Sequence, residues 1–142
     1  MEKIMNQYLA DLVVEYHKLQ NFHWYIKGQD FFEVHAKLEE IYNGINSAID
    51  EVAEAILMEE GKPLASLKDF LSVSKIKEQD AADVHSDVVL ASVLEDFKYL
   101  LASSIEIKKQ ADEKNSYMIS AMMDPFISEY KKSLWMISSL NK

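Results

Sequence analysis

The chain has 142 residues, a formal net charge of −9 and no cysteine, and all 15 of its basic residues are lysines. This length suits one domain with its own hydrophobic core, and the absence of cysteine excludes disulfides, thiol catalysis and thiolate metal sites. An acidic chain without arginine lacks the groups that bind phosphates and bases best, so we expect it to attract cations and not DNA.

The chain contains no apolar run of the ~18 residues that a membrane span requires, and its first residues do not form the pattern of a signal peptide. We therefore expect a cytoplasmic protein without a membrane partner. Residues 1–142 are predicted to form a single domain.

Glycine and proline are scarce, at three and two residues, and apolar residues recur every three or four positions, which predicts helices throughout. The first helix carries one apolar stripe and is predicted to end near Gly28 as its C-cap. This stripe consists of Met5, Leu9, Leu12, Tyr16, Leu19, His23 and Ile26. His23 therefore lies on or beside the buried face of the first helix.

The second helix is predicted to begin after Asp30, a suitable N-cap, and to continue to about Met58. Residues 64–71 predict a short helix inside a long crossover. The third helix is expected from Ser86 or Asp87 to residues 111–114.

The fourth helix allows two interpretations around Pro125. One long helix runs through Pro125 with a kink, or the helix begins at Asp124 with Pro125 in its first turn. The continuous apolar stripe favours the first interpretation. The predicted fold is all-α, an up-down-down-up four-helix bundle of the ferritin-like kind, with a short extra helix in the long crossover between the second and third helices.

Four residues of the second helix that could bind a metal share one face. With His35 at 0° and about 100° per residue, Glu39, Asp50 and Glu54 lie at about 40°, 60° and 100°. The apolar stripe of the same helix is centred at about −80°. The polar face is therefore a flank of the bundle, not its interior.

The length of this face separates its two ends. His35 and Asp50 are about 22 Å apart along the helix, whereas the ligands of one ion lie within about 2 to 2.5 Å of it. The pairs 35 with 54 and 39 with 50 share one midpoint, between residues 44 and 45. A two-fold axis at this midpoint would bring His35 and Glu39 opposite the partner's Glu54 and the partner's Asp50, which gives two equivalent sites per dimer.

His23 joins His35 across the short turn at Gly28, so the predicted metal ligands are His23, His35 and Glu39 of one subunit with the partner's Asp50 and the partner's Glu54. This imidazole and carboxylate set suits iron, zinc or manganese, and its carboxylates favour iron over copper. Each residue taken alone also has an ordinary structural interpretation, since a single histidine on an apolar stripe is usually a hydrogen-bonded core residue.

These residues also carry a family resemblance. The segment 23–28, the pair 31–32, His35 and the segment 50–54 resemble the Dps proteins, the mini-ferritins also called DNA-binding proteins from starved cells. The resemblance implies that His23, His35, Asp50 and Glu54 are ferroxidase ligands between two subunits. Glu39 departs from the family, because many members have Asp there.

The resemblance further implies a homododecamer that oxidises Fe(II), preferably with hydrogen peroxide and otherwise with dioxygen, and that stores the ferric mineral. By the same resemblance, removal of Fe(II) from reaction with peroxide would protect the cell from oxidative stress. Zinc is a possible substitute for iron. The lysine-rich tail of the DNA-binding members is absent. The alternative function is a non-catalytic helical shell or interaction protein with a structural metal, for instance zinc, at the dimer interface.

Overall fold

The computed structural model describes residues 1–140. Within them the chain forms five helices and no β-strand. The helices are α1 (Glu2–Tyr25), α2 (Phe31–Met58), α3 (Leu67–Val73), α4 (Ser86–Glu113) and α5 (Tyr117–Ser139). Helix α1 packs on α2 and α4 packs on α5, while α3 lies against α1 in the crossover. The predicted all-α bundle with a short extra helix is confirmed.

Three boundaries refine the sequence prediction. Helix α1 ends at Tyr25 with Ile26 as its C-cap, so the predicted C-cap at Gly28 is wrong, and Gly28 lies in the following turn with φ 126°. Helix α3 begins at Leu67, because the Ser66 side chain accepts the Asp69 N–H and caps it there. Helix α5 continues through Pro125, as the favoured interpretation predicted.

The middle of α1 is buried on all sides, because α2, α3 and α4 all contact this helix. Its fully buried apolar side chains include Leu9, Leu12 and Leu19. No helix in the described part of the chain is long and apolar enough to cross a membrane.

Asp11 joins α1 to two distant parts of the chain. Its carboxylate accepts hydrogen bonds from the Tyr99 hydroxyl at 2.6 Å, the Ser74 hydroxyl at 2.9 Å and the Lys75 N–H at 2.8 Å. Hydrogen bonds to a charged acceptor are stronger than those between neutral groups. The buried Asp11 therefore fixes the end of the crossover and helix α4 against α1.

Glu15 lies one turn further along α1 and is fully buried, yet neither of its carboxyl oxygens has a hydrogen-bond donor within reach. Its neighbours are Asp96 and Lys18, and the Lys18 ammonium contacts the Asp96 carboxylate at 2.8 Å. Burial raises the pKa of Glu15 well above its usual value, and the contact with Asp96 raises it further. In the folded protein, Glu15 therefore favours its protonated form more strongly than a solvent-exposed glutamate does.

We expect Glu15→Gln to stabilise the protein above the usual pKa of a glutamate. The folded state holds a proton on Glu15 that the unfolded state releases as the pH rises from about 4.5, so folding of the native chain loses stability with increasing pH. The amide of the variant remains neutral at every pH, so its burial does not depend on proton uptake. The gain should be about 1–3 kcal/mol at pH 8 and should nearly vanish at pH 4.

Thermal unfolding at fixed protein concentration and two pH values measures this difference. The matched control is Glu95→Gln, which changes the exposed neighbour of Asp96 and should have little effect at either pH. A Glu15→Gln gain that is equal at both pH values would show that Glu15 is not protonated in the folded state.

Candidate metal centre

A tight turn between α1 and α2 sets the position of the two histidines. The Lys27 N–H donates to the Val84 carbonyl at 2.9 Å, and the Val84 N–H donates to the Tyr25 carbonyl at 3.2 Å. Gly28 has a positive φ, where a side chain would be strained and would approach Asp30 to 3.3 Å. These contacts fix the angle at which the chain leaves α1 and enters α2.

His23 and His35 exchange two hydrogen bonds across this turn. His23 Nδ1 donates to the His35 carbonyl at 2.7 Å, and His35 Nδ1 donates to the His23 carbonyl at 2.8 Å. A carbonyl oxygen only accepts, so both protons lie on Nδ1, and in the neutral rings both Nε2 atoms keep a lone pair for a metal ion. This second hydrogen bond of a histidine ligand is usual in metal sites.

The two imidazoles are stacked, with ring centroids 3.6 Å apart and planes at 10°. Phe31 covers the other face of His35, with centroids 4.7 Å apart. Tyr42 makes an edge-to-face contact with His23, with ring centroids 5.3 Å apart. This column of rings restricts the rotation of both histidines.

Glu39 lies one turn after His35 and faces the pair. Its carboxylate oxygen Oε1 is 3.5 Å from His23 Nε2, and its side chain remains 56% exposed. The carboxylate therefore lies beside the lone pair that a cation would use. Partial burial and the nearby Glu39 raise the pKa of Tyr42, so its phenol stays neutral.

The structure brings His23, His35 and Glu39 together, and it does not bring Asp50 and Glu54 to them. Both of these carboxylates are exposed near the far end of α2, about 22 Å (Asp50) and about 28 Å (Glu54) from His35 along the helix axis. Within residues 1–140 no three His, Asp or Glu side chains form a group that could hold a metal ion. The predicted ligands of one chain are therefore divided between two separated positions on α2.

Comparison with known proteins identifies the family of this chain. A family model described as a ferritin-like domain matches residues 2–142. The chain belongs to the ferritin-like family. Its relatives, described next, place it among the Dps proteins of that family, as the sequence resemblance indicated.

Two relatives are similar to this chain in sequence. The DNA protection during starvation protein of Helicobacter pylori is 32% identical over 137 residues, 96% of this chain and 95% of the relative. DNA protection during starvation protein 2 of Bacillus anthracis is 36% identical over 138 residues, with 95% and 92% covered.

Two solved structures are similar to this Dps-family chain over nearly its whole length. Antigen TpF1 of Treponema pallidum has a TM-score of 0.97 and 31% identity, covering 99% of this chain and 90% of its own. The Dps protein of Vibrio cholerae O1, described as a member of a superfamily of ferritin-like diiron-carboxylate proteins, has a TM-score of 0.95 and 33% identity, with 99% and 88% covered.

His85 contacts the turn between α1 and α2 from a distant part of the chain. Its Nδ1 contacts the Lys27 carbonyl in the turn at 3.1 Å. The two residues are 58 positions apart, so no local pattern could indicate the contact. His85 supports the turn and lies outside the histidine pair.

We expect Glu39→Gln to weaken binding of a divalent metal by about 10- to 100-fold, because the amide removes a negative charge beside His23 Nε2. Calorimetric titration of the purified protein with Co²⁺ measures the affinity. The matched control is Glu40→Gln. The exposed Glu40 carboxylate pairs with Lys37, and its loss should leave the affinity unchanged. Equal affinities in all three proteins would remove Glu39 from the site.

Proposed function

We propose that this chain oxidises Fe(II) to Fe(III) at sites shared between two subunits, preferably with hydrogen peroxide and otherwise with dioxygen. It stores the ferric product inside a homododecamer built from two-fold dimers. Membership of the Dps group of the ferritin-like family supports the broader role of iron storage and protection. The reciprocal hydrogen bonds of His23 and His35 are the observation that carries the finer proposal.

The proposed ligands suit iron as a substrate. The Nε2 atoms of His23 and His35 would bind Fe(II), with Glu39 beside them and the partner's Asp50 and the partner's Glu54 completing the set. Carboxylates are hard, negatively charged ligands that stabilise Fe(III) more than Fe(II). The protein thus favours loss of an electron from bound iron while the imidazoles hold the ion in place.

Electron transfer to peroxide is balanced when two Fe(II) ions react together. Two Fe(II), one hydrogen peroxide and two protons give two Fe(III) and two water molecules, and no hydroxyl radical is released. Oxidation of iron and removal of peroxide therefore occur in one reaction, which accounts for protection. DNA compaction is not part of this proposal, since the chain has a net charge of −9 and no arginine.

We expect the double variant His23→Ala with His35→Ala to lose rapid peroxide-driven oxidation of Fe(II) and to keep its assembly. Absorbance of Fe(III) and consumption of peroxide are measured together after addition of anaerobic Fe(II). The control is His17→Ala, an exposed histidine on α1 outside the pair. Unchanged kinetics in the double variant would disprove the proposed site, and a native protein that consumes no peroxide would support the structural-metal alternative.

A second experiment tests whether the site is shared. One variant lacks the histidines (His23→Ala with His35→Ala) and another lacks the distal carboxylates (Asp50→Asn with Glu54→Gln), and both should be inactive alone. When they are unfolded, mixed in equal amounts and refolded, half of the dimers are mixed, and each mixed dimer contains one intact site. Activity should return to about a quarter of the native value, as two-fold symmetry requires. A site within one chain would give no recovery.

A further inference from the structure

The outward face of α2 has an apolar residue at each end. Phe32 and Leu57 are 79% and 58% exposed, which is high for large apolar side chains. Phe31, the neighbour of Phe32, packs against the core instead. With His35 at 0°, Phe32 and Leu57 lie at about 60° and 40°, within the range of Glu39 and Asp50. Both residues therefore belong to the face that carries the two half-sites.

The sequence of this face is symmetric about one point. Phe32 and Leu57 have their midpoint between residues 44 and 45, and so do Asn43 and Asn46. The proposed ligand pairs 35 with 54 and 39 with 50 have the same midpoint. Four pairs of matched positions along one helix face are what an antiparallel contact between two copies requires, because a two-fold axis places each residue opposite its mate.

Side-chain size along this face follows the shape of such a contact. Phe32 and Leu57 lie about 19 Å from the midpoint along the helix. At this distance, the axes of two helices that cross at about 20° have diverged sideways by about 6 Å. The smaller residues Asn43 and Asn46 lie near the midpoint, where the helices would be closest. The larger side chains lie where the gap is wider.

We propose that Phe32 packs against Leu57 of the partner subunit and that these two apolar contacts, one at each end of the α2 pair, close the outer side of each shared metal site. The proposal rests on the shared site of the proposed function and adds an interface that forms without metal. Because Phe32 precedes His35 by about one turn and Leu57 follows Glu54 by about one turn, each contact lies next to one site. The occupant of this exposed face is a second copy of the chain.

A cross-linking experiment tests the pairing directly. The chain has no cysteine, so the variant Phe32→Cys with Leu57→Cys introduces the only two thiols. Treatment of the metal-free protein with a short bis-maleimide should convert most of the chains to covalent dimers on a denaturing gel. Each single cysteine variant is a control and should give few dimers, because position 32 lies about 37 Å from its own copy in the antiparallel pair.

Few dimers from the double cysteine variant, or as many dimers from either single variant, would overturn the proposal. The readout involves no iron. A protein that cross-links as expected but oxidises no Fe(II) would therefore keep the interface and refute the proposed function.

A charge-rescue experiment gives an independent test. Phe32→Lys and Leu57→Glu should each weaken the metal-free dimer by about tenfold or more, because each places a charge against an apolar side chain. The double variant sets each lysine opposite the partner's new glutamate and should recover most of the native affinity in sedimentation measurements. A double variant that dimerises no more tightly than the weaker single variant would contradict the pairing.

Discussion

The two hydrogen bonds between His23 and His35 join the end of α1 to the beginning of α2, and the proposed metal half-site depends on them. The last carbonyl groups of a helix have no partner within it. The Lys27 N–H, which would continue the helix by donating to the His23 carbonyl, donates to Val84 instead, and His35 Nδ1 takes its place. The end of α1 is thus satisfied by a side chain of α2, and the same bond sets the tautomer of His35.

This arrangement keeps the candidate metal chemistry away from the interior of the bundle. Three charge-bearing side chains of α1, Asp11, Glu15 and Lys18, are buried in the interior, and the protein itself bonds or neutralises them. Asp11 accepts several hydrogen bonds, Lys18 pairs with Asp96, and burial raises the pKa of Glu15 so that its neutral form is favoured. Buried charges without partners are costly, so these groups stabilise one arrangement of the helices only while their partners remain. The histidines lie at the flank, where a second subunit can reach them.

Much of this architecture could be predicted from residue spacing. The apolar period predicts the four long helices, and the helix phase places Glu39 on the same face as His35. The reciprocal histidine bonds could not be predicted, because they require α1 to end at Tyr25 and not near Gly28. The contacts of Asp11 with Ser74 and Tyr99 span 63 and 88 positions. Such contacts depend on the packing of helices that no local pattern specifies.

In the proposed dimer, assembly and metal binding would be linked by the charges on α2. Each proposed site brings three carboxylates and two imidazoles together, so without a cation the carboxylates repel one another and oppose dimerisation. A bound metal ion removes this repulsion and stabilises the dimer, and the dimer in turn increases the affinity for the metal. A storage protein must nevertheless remain assembled after iron leaves the site. Apolar contacts between Phe32 and the partner's Leu57 do not depend on charge. They would hold the two halves of each site together while the site contains no metal ion.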